Sequence, residues 1–90
     1  MRERTQRAAS RPTRAEQVID HLVRVGRITD ATARAQYGSF RLADAIYRLR
    51  RERKDLVPQG QAIITVDRED VNGTPFAEYR LVPESQAHAA

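Results

Sequence analysis

Residues 30–53 read DATARAQYGSFRLADAIYRLRRER, and the break in the middle of this stretch decides the fold. From Asp30 to Gln36 the side chains are mostly small (Ala31, Ala33, Ala35), which predicts a short helix that another helix can approach closely. Tyr37-Gly38-Ser39 ends it, with Gly38 supplying the positive φ of a tight turn and Ser39 free to cap the next helix. From about Phe40 to Arg53, Leu42, Ala45, Ile46 and Leu49 fall on one side at helical spacing. Arg41, Asp44, Tyr47, Arg48 and Arg51 fall on the other. The stretch is therefore two helices across a tight turn, the second amphipathic with an arginine-rich exposed face.

Working outward toward the N-terminus, Thr13-Arg14-Ala15-Glu16 is a capping box and predicts the start of a first helix. Val18, Ile19, Leu22 and Val23 form its apolar stripe, and Gly26 is a left-handed stop. His21 shares this helix without a partner at ligand spacing, so it is expected at the surface or rim and not on a metal. Arg27-Ile28-Thr29 is long enough only for a connecting β-bridge, and Thr29 or Asp30 caps the second helix.

Toward the C-terminus, Asp55 to Gln61, with Pro58 and Gly60, reads as a loop. Ala62–Asp67 alternates β-branched residues, and Phe76–Val82 answers it across Asn72-Gly73, a strong hairpin signal. A two-residue turn there opposes Val66 to Tyr79 and Ile64 to Leu81. Ile64, Val66, Ala77, Tyr79 and Leu81 then share one face, and Thr65, Asp67, Glu78 and Arg80 the other. Three helices and then an amphipathic two-stranded hairpin make an α+β winged helix-turn-helix over residues 13–83.

The flanks carry little that can pack. Residues 1–12 place Arg2, Arg4, Arg7 and Arg11 among small polar residues and end at Pro12, which predicts a disordered basic arm, and residues 84–90 read as a disordered tail. Ninety residues suffice for one domain with a modest core. The balance of 16 basic and 12 acidic residues gives +4, and Lys54 is the single lysine. Arginine suits bidentate contacts to phosphate and guanine, although a GC-rich genome favours arginine whatever the function. The absence of cysteine excludes disulfides, thiol catalysis and cysteine-ligated zinc. No stretch approaches the ~20 apolar residues of a membrane span, and a cytoplasmic protein, on the nucleoid if it binds DNA, is the simplest fit.

Several elements together give the chain a resemblance. Gly26-Arg27-Ile28-Thr29, Tyr37-Gly38, Arg41-Leu42-Ala43, Ile46, Leu49-Arg50, Asn72-Gly73 and Tyr79-Arg80-Leu81 stand in the order and spacing of the small winged helix-turn-helix domains common in phage and prophage proteins. The resemblance runs from about Glu16 to Val82. Thr32 stands where the pattern "I-T-x-x-E-A" has its glutamate, and the Glu52–Gly60 linker is longer and more charged than the pattern's. The resemblance implies the fold and an expectation of DNA binding.

On that expectation the third helix enters the major groove. Arg41 and Arg48 are the candidates for base contacts, Ser39 and Tyr47 for phosphate, and Arg51 for the backbone. Asp44 either accepts from a cytosine N4 or orients a neighbouring arginine. The alternative is an ordinary solvated face, its arginines ion-paired to Asp44 and Glu52. Arg68 is the wing's candidate contact, although Asp67, Glu69, Asp70 and Glu78 surround it and Arg80. The arm tracks the backbone or a minor groove, or only solubilises the chain. Asp67-x-Glu69 with Asn72 and Glu78 fails as a calcium loop, because Val71 sits at a ligand position and strands flank it. With no paired base for His21 or His88 and no glycine-rich phosphate loop, no enzyme, metal or cofactor is expected. The expected partner is double-stranded DNA. The rival is a protein-interaction module, an inhibitor or adaptor, with a protein partner or a weak homodimer.

Overall fold

The computed structural model describes residues 12–87. Helix α1 spans Arg14–Val25, strand β1 Arg27–Thr29, helix α2 Asp30–Tyr37 and helix α3 Leu42–Arg51. A 3-10 turn at Lys54–Leu56 leads to strands β2 (Gln61–Glu69) and β3 (Pro75–Pro83), and helix α4 (Glu84–Ala87) comes last. The architecture is α+β, with one antiparallel sheet in the order β1-β3-β2. It has a third strand where a two-stranded hairpin is expected, because β1 pairs along β3 from Arg27 opposite Arg80 to Thr29 opposite Glu78.

The helical half obeys its local signals. Thr13 accepts from the Glu16 N–H and Glu16 reaches back to the Thr13 N–H, so the capping box forms, and Gly26 closes α1 at φ 97°. Val18, Leu22, Ile28, Ile46 and Leu49 are the largest fully buried side chains and join α1, β1 and α3 in one core. Burying each is worth about 1.5–3 kcal/mol. Thr29 caps α2 by accepting from the Thr32 N–H. Arg41, not Ser39, is the N-cap of α3, and it makes no side-chain capping bond; the turn extends two residues further than Gly38-Ser39 alone requires.

Two positions on α1 correct the expected pattern. Val23 is 58% exposed; the buried stripe of α1 runs through Ala15, Val18, Ile19 and Leu22 instead. His21, expected at the surface, is buried. Its Nδ1 lies 2.8 Å from the Tyr37 hydroxyl, which also accepts from Arg24 Nη2 at 3.2 Å. Burial, then the nearby Arg24 charge, lowers the His21 pKa below its ordinary value; Asp20 and a backbone bond at Arg27 oppose them. The neutral ring thus ties α1 to the end of α2.

The hairpin turn differs by one residue from the expected one, with large consequences. The loop is Val71-Asn72-Gly73, closed by Asp70 and Thr74: the Gly73 N–H donates to the Asp70 carbonyl and the Asp70 N–H to the Thr74 carbonyl, both at 3.0 Å. A two-residue type I′ turn needs positive φ at Asn72 as well, whereas among the described residues only glycines have it, Gly73 at φ 80°. The Asp70 carboxylate decides the matter by accepting from the Asn72 and Thr74 N–H groups at 2.8 and 2.9 Å. Ile63 therefore opposes Leu81 and Thr65 opposes Tyr79, and every β2 side chain lies on the face opposite to the expected one. Ile63 joins the core, while Ile64 and Val66 turn outward with Glu78 and Arg80.

The tail departs from expectation at its start. Glu84–Ala87 form one helical turn, anchored by the Glu84 N–H on the Gly60 carbonyl at 2.9 Å. The arm residues Arg2, Arg4, Arg7 and Arg11, and residues 88–90, lie outside the described residues.

Candidate nucleic-acid interface

Helix α3 divides as its sequence requires. Leu42, Ala45, Ile46 and Leu49 are buried, which leaves the opposite stripe no choice but solvent. Along that stripe Arg41, Asp44, Arg48 and Arg51 succeed one another at spacings of three and four, with Tyr47 beside them at 57% exposure. Ser39 is exposed in the turn just before it.

The stripe's charges are paired locally. Arg41 Nε lies 3.9 Å from Asp44 Oδ2, the two side chains 84% and 67% exposed, and Arg48 Nη1 donates to Glu52 Oε1 at 3.3 Å. The Arg51 guanidinium lies 5.9 Å from the centre of the Tyr47 ring. Asp44 thus orients an arginine, one of the two roles open to it. Exposed pairs of this kind are worth about 0.2–0.5 kcal/mol, so a phosphate or a guanine edge displaces them readily.

Two arginines that sequence reasoning passed over hold this surface in place. Arg50, on α3, donates to the Ile63 carbonyl from Nε and Nη2 at 3.2 and 3.0 Å and to Thr65 Oγ1 at 2.9 Å, which braces the helix against β2. Its guanidinium lies 6.0 Å from the Tyr79 ring centre. Arg14 donates to the Tyr37 carbonyl at 2.8 Å and lies 4.7 Å from the Phe40 ring centre, clamping the turn between α2 and α3 onto α1. These acceptors, the Ile63 and Tyr37 carbonyls and the Thr65 hydroxyl, lie 13 or more residues away in sequence, so spacing carries no sign of them.

Among the candidates that lie within the described residues, only Arg68 does not stand on or beside α3. It lies on the outer face of the sheet, where Nη1 donates to Glu78 Oε1 at 3.1 Å. Arg80 Nε donates to the same oxygen at 2.9 Å, and Arg27 Nε lies 3.9 Å from Oε2. Burial of the Glu78 carboxyl raises its pKa, but the hydrogen bonds and charges of Arg80 and then Arg68 outweigh this and hold it below the usual glutamate value. Glu78 is ionised and buried, a position that a two-residue turn would have predicted as solvent-facing.

Among the described residues no group of acids and histidines has the arrangement of a metal site, and no helix is long and apolar enough to cross a membrane. No protein-family model, curated protein or solved structure matches the chain.

Proposed function

We propose that this chain is a winged helix-turn-helix protein that binds double-stranded DNA through α3 and acts by binding, without catalysis, as a transcriptional regulator or phage-type accessory factor. The observation that carries the reading is the exposed stripe of Arg41, Arg48 and Arg51 with Tyr47 on a helix whose other side is wholly committed to the core. A ten-residue helix is about 15 Å long and fits the major groove, where arginine forks guanine O6 and N7. Arg50 and Arg14 give the helix a fixed seat, so little ordering is left to the moment of binding.

Fluorescence anisotropy with genomic and mixed-sequence duplexes at two salt concentrations tests it. Arg48→Ala is expected to cost about 1–3 kcal/mol on a preferred site, and Arg51→Ala to weaken all duplexes alike while reducing the salt slope by about one. Equal, negligible effects of both changes overturn the assignment of α3.

The second reading, a protein-interaction module, rests on the hairpin and on the exposed ring of Tyr47. The hairpin tip exposes Val71 almost completely and carries Asp67, Glu69 and Asp70, a poor surface for phosphate but a serviceable one for a protein partner. On this reading Tyr47→Ala, not Arg48→Ala, is the damaging change in partner binding.

A further inference from the structure

The register of the hairpin sorts its charges by face. Asp67 and Glu69 lie on the side of Thr65 and Tyr79, whereas Arg68 lies on the outer side with Arg80 and Glu78, and β1 adds Arg27 opposite Arg80. The outer face thus sets three guanidiniums against one carboxylate. That carboxylate is withdrawn: the Glu78 side chain is 6% exposed, and those of Arg27, Arg68 and Arg80 are 63%, 45% and 39% exposed.

Neighbouring acids are engaged elsewhere. Asp30 is held by Arg34, and the Asp70 carboxylate accepts from the backbone of its own loop. Glu78 Oε1 takes Arg68 Nη1 and Arg80 Nε, which fixes two guanidiniums while leaving most of their N–H groups uncommitted. Neutralising a buried glutamate accounts for those two. It does not account for Arg27, which approaches Oε2 only to 3.9 Å and makes no side-chain hydrogen bond among the described residues.

Oriented guanidinium forks with free N–H groups match the paired oxygens of a phosphate. We propose that the outer face of the sheet is a second phosphate-binding surface, in which Glu78 fixes Arg68 and Arg80 while Arg27 supplies the free guanidinium, and that its ligand is the backbone of double-stranded DNA; the proposal rests on the reading of the chain as a DNA-binding protein.

The test uses the full chain, a mixed-sequence duplex and anisotropy across a range of NaCl concentrations, with thermal melting of each variant. Arg27→Gln is expected to melt as the parent does, to bind about three- to tenfold more weakly at low salt, and to lose about one from the log–log salt slope. Lys54→Gln, which removes the same charge from the 3-10 turn, is expected to do far less. Combined with Arg48→Ala, the Arg27→Gln loss multiplies, as for separate surfaces. Should Arg48→Ala be harmless while Arg27→Gln keeps its effect, the assignment of α3 fails and the sheet surface stands. Equal losses from Arg27→Gln and Lys54→Gln overturn the surface, as does a parent chain that binds no duplex. Duplex binding indifferent to Arg27, with polyglutamate binding that depends on it, also overturns it and makes an acidic protein the ligand.

Discussion

Helix α3 and the outer face of the sheet are both rich in arginine, yet they hold their guanidiniums in opposite ways. On α3 each pair is local, exposed and spaced three or four residues apart, as Arg41 with Asp44 and Arg48 with Glu52. On the sheet, three arginines from three strands converge on one buried carboxylate. The first arrangement costs little to break and keeps the side chains adaptable. The second fixes Arg68 and Arg80 by hydrogen bonds to Glu78 and leaves Arg27 at its margin. An arginine count does not distinguish the two cases; the burial of the acid does.

The largest expected effect comes from breaking the sheet's anchor. Glu78→Ala leaves its arginines without their shared acceptor and is expected to lower stability by about 1.5–3 kcal/mol, measured by urea denaturation. An unchanged midpoint removes the contrast altogether. Next in size is Gly73→Val. A Cβ at Gly73 meets nothing within 4 Å, so the expected cost of about 1–2 kcal/mol is backbone strain alone, in the loop that sets which face Glu78 occupies. A full loss of β2–β3 amide protection with α1–α3 intact sharpens the comparison; no change in melting sinks the assigned loop.

A pH titration separates two buried groups. Glu78 has a lowered folded pKa, so its contribution is complete above the unfolded value of about 4.3 and is lost as pH falls through the lower folded value. His21 also has a lowered folded pKa: the unfolded chain takes up the proton first, so stability falls with decreasing pH from about 6.5 down to the folded value. Melting temperatures across pH 3–8 are expected to show both limbs in the parent chain, with Glu78→Gln flattening the acid limb, to which Asp55 beside Arg53 also contributes, and His21→Phe removing the upper one. The smallest expected effect is that of Glu52→Ala. It frees Arg48 on α3 and is expected to change stability by about 0.5 kcal/mol or less, by the same denaturation measurement.

Legibility in the sequence tracked locality. Thr13 with Glu16, Gly26 and the interruption at Gly38 act within a few residues of themselves, and α1, α2 and α3 lie close to where their signals place them. The stripe of α3 was visible for the same reason. The hairpin's existence was legible but its register was not, because Asn72-Gly73 fits either loop length and the Asp70 side chain chose between them. That single step misplaced Ile63 and hid Glu78. His21, Arg14 and Arg50 were missed because their partners lie 13 or more residues away. Periodicity reports which face a residue occupies, and says nothing of which distant atom waits there.

The brace between α3 and the sheet also bears on how the molecule keeps to itself. Strand β2 forms one margin of the sheet, and such a margin invites another chain to add a strand. The Leu81 N–H donates to Gly26 at 3.1 Å, away from β2, so its opposite residue Ile63 turns its own backbone groups toward the open margin. There Arg50 occupies the Ile63 carbonyl, and the Gln61 N–H is taken by the Pro58 carbonyl at 3.1 Å. Two backbone groups in the first half of the margin are thereby taken by the chain's own groups, and the second half carries Asp67 and Glu69, whose charges disfavour pairing with a copy of themselves. The side chain that seats the helix thus also occupies an acceptor that an added strand would need.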